Sequence, residues 1–214
     1  MSTTVTGAVI GATGQIGRLV VEEALADGVT VLALTRDAAR AQRRLPEGAQ
    51  VIEVDPTDAA ALTPVLADVD VVVLTHGGDM DGQGGRSFYD VVAAVIEATK
   101  DRPGTHLSLM TAMNTSHRPT HYEFVEWKRR AERLLRASGR PYVIVRPGWF
   151  DYQGPADHRI DLHQGDLVTG QPGVDRRHVA DVLLAGAHAA TAPGRTVEVF
   201  SAAGDPVEDV VALL

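Results

Sequence analysis

The chain contains no cysteine, few aromatic residues (5%) and no apolar run long enough to cross a bilayer. The lack of cysteine excludes disulfides, thiolate catalysis and cysteine-ligated metals. A membrane span needs roughly 20 apolar residues, and the N-terminus has no basic segment ahead of an apolar one, as a secretory signal would. We therefore expect a soluble, cytoplasmic protein, and we predict no metal site.

Positive charge is also scarce. The chain has 28 acidic and 20 basic residues, and its net charge of −8 disfavours a nucleic-acid-binding surface. Only Lys100 and Lys128 are lysines, so each lysine stands out against the arginines. With 214 residues, 44% of them hydrophobic, the chain can bury one sizeable core, and a single domain over residues 1–214 is predicted.

A glycine-rich turn lies between a strand-like segment at 4–10 and a helical pattern at 16–26, with the spacing G-x-x-G-x-x-G. Glycine lets the backbone approach a pyrophosphate, and the start of the helix offers N–H groups and a positive dipole end. Because glycines also mark ordinary turns, the strand-turn-helix context decides the interpretation. The residues predicted to bind a dinucleotide here are Gly11, Thr13, Gly14, Gln15, Ile16 and Gly17.

Arg36 follows the second strand-like segment, 29–35, and lies 36 − 17 = 19 residues beyond Gly17. An acidic residue near this position binds the ribose 2′-hydroxyl in NAD-binding folds, whereas a cation suits the 2′-phosphate of NADP. We therefore predict NADP(H) as the cofactor. The competing interpretation is a solvated arginine at a strand end.

Further strand-like segments at 50–54, 69–74, 106–110, 142–145 and 196–200 alternate with helical patterns at 58–66, 88–99, 122–137 and 176–190. This alternation predicts an α/β fold with a doubly wound parallel sheet and helices on both faces. Between about 151 and 175 the pattern weakens, and we predict a small excursion on the substrate side. A terminal helix is expected at 207–214.

Ligands of such a sheet bind outside the carboxyl ends of its strands. Asp55 follows the third strand and is either a contact near the adenine or a turn residue leading into the next helix. His76 follows the fourth strand and could contact the cofactor, serve as an acid or be a polar loop residue. Five glycines within 77–87 predict a mobile loop near the mouth of the site.

The turn GATGQIG, the strand-end arginine in ALTRD and the stretch EWKRRAERLLRASGRPYVIVRPGWF resemble the atypical short-chain dehydrogenase/reductase proteins. The chain is most similar to their NmrA-like, NAD(P)H-binding group, which includes small flavin and biliverdin-IXβ reductases. The resemblance covers essentially the whole chain and implies a Rossmann fold. It places the pyrophosphate at residues 11–17, the 2′-phosphate at Arg36, and the adenosine ribose beside Thr75, His76 and Gly77.

The resemblance also implies a catalytic site. Thr111 falls where the family's catalytic serine follows the fifth strand, and Lys128 matches the lysine of its Tyr-x-x-x-Lys motif. Pro147 and Gly148 would meet the carboxamide. The tyrosine position of the motif, four residues before Lys128, is Phe124, and phenylalanine cannot pass a proton.

Tyr122 is the nearest substitute for the missing tyrosine. Six helical residues at about 100° each place it roughly 120° around the helix from Lys128, so it is a candidate only if the helix starts after it. Lys128 can bridge the nicotinamide-ribose hydroxyls without a tyrosine, or it is a solvated helix residue. Thr111 can hold a substrate carbonyl or the nicotinamide, or it takes a cap or turn role.

Three aromatic residues, Trp149, Phe150 and Tyr152, follow the sixth strand closely. In a chain so poor in aromatics, this cluster indicates a pocket wall for a flat or apolar substrate. Core packing explains the same cluster equally well.

These features predict an NADP(H)-dependent oxidoreductase that transfers hydride to a small carbonyl, quinone, flavin or conjugated substrate. A non-catalytic NADP(H)-sensing regulatory protein of NmrA type is the alternative, because Phe124 removes the usual proton donor. A sugar-nucleotide epimerase or dehydratase ranks last, since it needs that tyrosine and a larger substrate domain. A small-molecule substrate is expected, with no nucleic-acid or membrane partner, and the oligomeric state stays open.

Overall fold

The structure, a computed structural model, describes residues 5–77, 85–117, 122–151, 158–166, 168–188 and 194–214. Strands and helices alternate through most of the chain. The strands are β1 Thr6–Ile10, β2 Thr30–Thr35, β3 Gln50–Glu53, β4 Val71–Leu74, β5 His106–Met110, β6 Tyr142–Pro147, β7 Trp149–Asp151, β8 His158–His163, β9 Gly173–Asp175 and β10 Arg195–Ala203. The helices are α1 Gln15–Ala26, α2 Ala38–Arg44, α3 Ala59–Val65, α4 Arg86–Ala98, α5 Glu123–Ala137 and α6 Arg176–His188.

Eight strands form one sheet in the order β3-β2-β1-β4-β5-β6-β10-β8. Every neighbouring pair is parallel except β10 and β8, which are antiparallel. Ile10 lies opposite Leu34 on one side and Leu74 on the other. The strand order therefore reverses between β1 and β4, and this doubly wound arrangement confirms the predicted fold class.

The sheet buries apolar side chains on both faces, because successive residues of a strand point to opposite sides. Val9 packs with α1 and α6 in one cluster, while its neighbours Ala8 and Ile10 pack with α3, α4 and α5 in the other. Continuous apolar strands such as Val71–Leu74 follow from this two-sided burial. Among the described helices, none is long and apolar enough to cross a membrane.

The C-terminal prediction was wrong in one respect. A short 3₁₀ helix, Val211–Leu213, replaces the terminal helix expected at 207–214. The Asp209 carboxylate accepts the Ala212 N–H at 3.1 Å, so it caps a helical turn that begins only after residue 209. A segment this short lacks the hydrogen bonds that offset the cost of helix nucleation.

The stretch 151–175, expected as a substrate-side excursion, contributes to two sheets. β8 pairs with β10 at the edge of the main sheet, and β7 pairs with β9 in a separate two-stranded sheet. Most of the glycine-rich loop predicted within 77–87 lies outside the described residues.

Candidate functional site

The glycine turn packs directly against the end of β4. Gly11 has φ +84°, and a Cβ there would lie 2.8 Å from the backbone nitrogen of His76. A Cβ on Gly17 would collide with the Gly11 carbonyl oxygen and approach the Thr75 hydroxyl to 2.7 Å. The close approach of these backbones requires glycine, and it brings the first residue of α1 to the carboxyl edge of the sheet.

The start of α1 offers backbone N–H groups at this edge, because the first turn of a helix has no intrahelical acceptor for them. Gly14 is the N-cap residue, and no side chain caps it. Gln15 is exposed, whereas the side chain of Ile16 is buried in the core. Ile16 can therefore contribute its backbone to a ligand but not its side chain.

A cleft of about 260 Å³ lies along the ends of the first four strands. It contains most of the cofactor contacts predicted from the sequence. We call it the strand-end cleft, and its lining is Ile10, Gly11, Thr13, Gly14, Leu34, Thr35, Arg36, Asp55, Pro56, Thr57, Thr75, His76, Gly77, Ser87 and Val91.

Arg36 and Asp55 are exposed on the same side of the strand-end cleft. Asp55 accepts hydrogen bonds from the N–H and the hydroxyl of Thr57, at 2.9 and 2.8 Å. These bonds, with a smaller contribution from the Arg36 charge, lower the pKa of Asp55. Asp55 is thus a turn residue ahead of α3, as one interpretation held, and it also lines the cleft.

Thr75 and His76, at the end of β4, pack against the glycine turn that follows β1. The Thr75 hydroxyl donates to the Ile10 carbonyl at 3.1 Å. His76 Nε2 lies 3.1 Å from the Phe88 carbonyl oxygen, which can only accept, so Nε2 carries the proton. The His76 ring stacks on Phe88 with centroids 4.6 Å apart.

His76 is a neutral side chain at physiological pH. Burial, with a smaller contribution from the nearby Lys128 charge, lowers its pKa from 6.5 to about 4 despite the hydrogen bond to Phe88. A neutral imidazole whose one N–H is already bonded is a poor proton donor. These properties argue against His76 as an acid, whereas its place in the lining agrees with a cofactor contact.

Lys128 lies on α5 with only 9% of its surface exposed, so the alternative of a solvated helix residue is excluded. Its Nζ is 5.3 Å from the centroid of the Phe124 ring and 5.7 Å from that of Phe88. The residue at the tyrosine position thus presents a ring face, not a phenol, to the ammonium. Such cation–π contacts hold the charge in a largely buried place.

Tyr122 precedes α5 instead of belonging to it, since the helix begins at Glu123. The predicted start at Tyr122 was wrong by one residue because Tyr122 has extended backbone angles at the N-cap position. Its side chain is 65% exposed, and its ring lies 5.6 Å from the Phe124 ring. The condition for Tyr122 as a proton donor, a helix that starts after it, is therefore met.

Thr111 belongs to a buried set of polar side chains that sequence reasoning missed. Its hydroxyl donates to Glu132 on α5 at 2.8 Å. Arg146 on β6 binds both oxygens of the same carboxylate, at 2.9 and 2.6 Å. No sequence pattern marked Glu132 or Arg146, because each lies on a regular element and they meet only through packing. Neither Thr111 nor Lys128 is part of the described lining of the strand-end cleft.

We call this set the polar network. It also includes Arg136, which donates to Glu132, Asp166, which lies beside Arg146, and Glu198, which interacts with Asp166. Its members are Thr111, Glu132, Arg136, Arg146, Asp166 and Glu198.

Pro147 and Gly148 lie at the end of β6 beside the turn that carries Thr111. The Pro147 carbonyl accepts the Met113 N–H at 3.0 Å. A Cβ on Gly148 would collide with the Pro172 carbonyl and approach the Phe200 ring to 2.8 Å. Glycine is required here for packing, whatever ligand the position contacts.

The aromatic residues after β6 do not form one continuous wall. Trp149 is 60% exposed, whereas Phe150 packs against the core. Their side chains alternate because both residues lie on β7. Trp149 is thus the more exposed of this pair, and Tyr152 lies outside the described residues.

A family model described as NAD(P)H-binding matches residues 11–190. The chain belongs to this family. Quinone oxidoreductase 2 of Escherichia coli (strain K12) is 29% identical over 202 residues, covering 92% of this chain and 68% of that protein. Protein TIC 62 of Pisum sativum is 27% identical over 208 residues, and the match covers 82% of this chain and 39% of that longer protein.

Solved structures show the same fold. ChuY, an anaerobillin reductase from Escherichia coli O157:H7, superposes with a TM-score of 0.72 at 23% identity. The match covers 95% of this chain and all of ChuY, at 100%. The chain thus has the fold of these structures and belongs to the NAD(P)H-binding family, and one of its relatives is named as a quinone oxidoreductase.

Proposed function

We propose that the protein is an NADP(H)-dependent reductase that transfers hydride to a small carbonyl, quinone, flavin or conjugated acceptor. The observation that carries the proposal is the strand-end cleft, in which the glycine turn and Arg36 line the same space. The relatives support the acceptor classes, since one is named as a quinone oxidoreductase and one as an anaerobillin reductase. A cytoplasmic location is part of this proposal.

The residues of the cleft fit a dinucleotide. The glycines let the turn pack closely on itself and on the end of β4, which leaves the N-terminus of α1 at the cleft with N–H donors and a positive dipole for a pyrophosphate. Arg36 offers a guanidinium for a 2′-phosphate. Thr13, Gly14, Gln15 and the backbone of Ile16 would complete the pyrophosphate contacts.

The remaining predicted contacts continue from the cleft along the sheet edge. A bound NADPH supplies the hydride. We propose that Lys128 binds the ribose hydroxyls beside the nicotinamide, while the backbone of Pro147 and Gly148 orients the carboxamide. The proton comes from water, from Tyr122 or Thr111, or from a group of the substrate. Trp149, with Phe150 and Tyr152 in the same stretch, is the candidate contact for a flat acceptor.

Calorimetric titration with NADPH and NADH tests the cofactor assignment. We expect NADPH to bind at least about tenfold more tightly, a difference of about 1.4 kcal/mol. Arg36→Ala should reduce NADPH affinity to that of NADH and leave NADH unchanged. Arg43→Ala, an exposed arginine on the neighbouring α2, is the matched control and should retain the preference.

Three results would change the proposal in different ways. Equal affinity of the wild-type protein for both cofactors would remove the role of Arg36. A failure to bind either would remove the cofactor site. Tight NADPH binding with no turnover of para-benzoquinone, FMN or biliverdin would reject the reductase.

The last result would favour a regulatory protein that senses NADP(H). The contact of the Phe124 ring with the Lys128 ammonium supports this alternative, because the position that donates a proton in related enzymes is here apolar. Loss of a proton donor costs an enzyme more than it costs a sensor.

A further inference from the structure

Asp166 fastens the connection between β8 and β9 to the turn that follows β5. Its two carboxylate oxygens accept the backbone N–H groups of Asn114, at 2.8 Å, and Ser116, at 2.7 Å. Its own carbonyl oxygen lies 2.9 Å from His117 Nε2. One residue therefore makes three hydrogen bonds to the turn of residues 111–117.

The backbone at both ends of this contact is unusual. Among the described residues other than glycine, only Asn114 and Asp166 have positive φ, at +62° and +57°. Side chains rarely adopt this conformation, and surrounding contacts must maintain it. The hydrogen bond between the Asn114 N–H and the Asp166 carboxylate joins these two residues directly.

Arg146 contacts both Asp166 and Glu132, and Glu132 in turn accepts the hydrogen bond from Thr111. Arg146 Nη1 is 3.3 Å from Asp166, while the rest of the guanidinium holds Glu132. The side chains of Arg146, Asp166 and Glu132 are 5%, 2% and 1% exposed. In this dry environment a displaced carboxylate would leave a buried charge unpaired, which is costly.

Glu198 is a further neighbour of the Asp166 carboxylate, and their interaction lowers the pKa of Asp166. Burial raises the pKa of Asp166, but the bonds from Glu198 and Ser116 and the charge of Arg146 outweigh it, so the pKa is lowered. The lowered pKa keeps Asp166 ionised at neutral pH. An ionised Asp166 can accept from both backbone N–H groups at once.

The turn held in this way borders the proposed acceptor site. The Thr111 N–H donates to the Val145 carbonyl, and the Met113 N–H donates to the Pro147 carbonyl. The turn thus runs beside the end of β6, next to the residues proposed to hold the nicotinamide.

We propose that Asp166 is a positioning residue, which fixes the backbone of residues 114–116 and thereby sets how the acceptor binds. This inference rests on the proposed reductase function. It assigns the polar network to acceptor binding, because the strand-end cleft is formed by other residues.

Asp166→Asn tests the proposal, since an amide can accept with only one of its two terminal atoms. We expect the Asn114 and Ser116 amides to exchange with solvent about tenfold faster or more. The KM for para-benzoquinone should rise about tenfold, the Kd for NADPH should stay within about twofold, and kcat should change less than KM.

Asp70→Asn is the matched control. Asp70 likewise accepts a backbone N–H, from Thr6 at 2.9 Å, and lies 3.8 Å from an arginine, but at the amino end of the sheet. The Asp70→Asn variant should leave amide hydrogen exchange at residues 114–116 and the KM for para-benzoquinone unchanged.

Each outcome tests a separate part of the proposal about Asp166. An unchanged KM with faster exchange would overturn the role in acceptor binding. Unchanged exchange would overturn the role in holding the turn. If the wild-type protein turned over no acceptor, the proposed reductase function and the role of Asp166 in acceptor binding would both fail. Amide hydrogen exchange would still decide whether Asp166 holds the turn.

If Asp166→Asn did not fold, His117→Phe is the second variant. It would remove only one of the three hydrogen bonds between Asp166 and the turn, and the KM should again rise.

Discussion

Phe124 and Lys128 are the residue pair that bears most directly on the proposed reduction. Lys128 Nζ lies 5.3 Å from the Phe124 ring centroid, one helical turn away on α5. A hydroxyl added to that ring would enter the field of a largely buried ammonium. Such a charge lowers the pKa of a phenol and so makes it a better proton source near neutral pH.

We expect Phe124→Tyr to raise kcat with a carbonyl or quinone acceptor by about tenfold to a hundredfold, because positioned general acids contribute at least this much. The measurement is kcat against pH with saturating NADPH. An alkaline limb, where the new phenol ionises, should accompany the increase.

The double variant Phe124→Tyr/Lys128→Met is the control for this prediction. It should lose most of the gain, since the ammonium that lowers the phenol pKa is gone. Equal kcat for Phe124→Tyr and wild type at every pH, with NADPH binding intact, would show that position 124 does not face the reacting atoms. Turnover that appeared only in the tyrosine variant would favour the NADP(H) sensor for the natural chain.

At the scale of elements, α1 and α6 meet through a pair of acidic side chains. Glu23 on α1 forms a hydrogen bond with Asp181 on α6 and lies 3.3 Å from Arg177. Burial, the bond to Asp181 and the Asp181 charge together raise the pKa of Glu23 from 4.5 to about 9. Glu23 is therefore protonated at neutral pH, and its proton lies in the hydrogen bond between the Glu23 and Asp181 carboxyls.

This shift makes stability depend on pH in a defined direction. The unfolded chain releases the Glu23 proton above pH 4.5, whereas the folded chain keeps it until about pH 9. The unfolded state therefore gains stability between these values, and the free energy of unfolding falls as pH rises through this window.

Glu23→Gln should reduce the loss of stability between pH 5 and 9. A glutamine stays neutral in both the folded and the unfolded chain, and it can still form a hydrogen bond with Asp181. The measurement is urea unfolding at pH 5, 7 and 9. Glu22→Gln on the same helix is the matched control, since Glu22 contacts Arg18 at 3.9 Å and is 38% exposed. A Glu23→Gln protein with the same pH dependence as wild type would contradict the raised pKa.

Across the whole molecule, the parallel core of the sheet was predictable from the chain. Apolar segments separated by helical patterns leave a doubly wound sheet as the natural solution. The strand ends then meet at one edge, so Arg36, Asp55 and His76 come to line one cleft although they lie far apart in sequence. Local patterns were sufficient because each of these residues immediately follows a strand or its turn.

The part of the fold proposed to bind the acceptor was much less predictable. β8 has the sequence HRIDLH, in which charged and apolar residues mix, and among the described strands it pairs with β10 alone, at the sheet edge. Glu132, Arg146 and Asp166 lie on three separate segments, and only the packed fold brings them together. Their pairing depends on tertiary distance, which no residue spacing encodes.

Cofactor binding should stabilise the whole fold, since a ligand that binds only the native state shifts unfolding by mass action. At 100 times its Kd, NADPH should add about 2.7 kcal/mol, which for a chain of this length corresponds to a rise in Tm of roughly 5 to 10 °C. Gly17→Ala should abolish the rise, because its Cβ would collide with the Gly11 carbonyl and deform the turn.

The collision should also lower the unliganded Tm, at a cost of about 1 to 3 kcal/mol, so each variant is compared with its own unliganded state. Gly104→Ala is the matched control, because a Cβ at Gly104 meets nothing within 4 Å, and it should keep the full rise. A Gly17→Ala protein that retained the NADPH-induced rise would place the pyrophosphate away from the glycine turn. The cleft would then be a packing feature of the fold, and Arg36 would lose its reason for binding a phosphate.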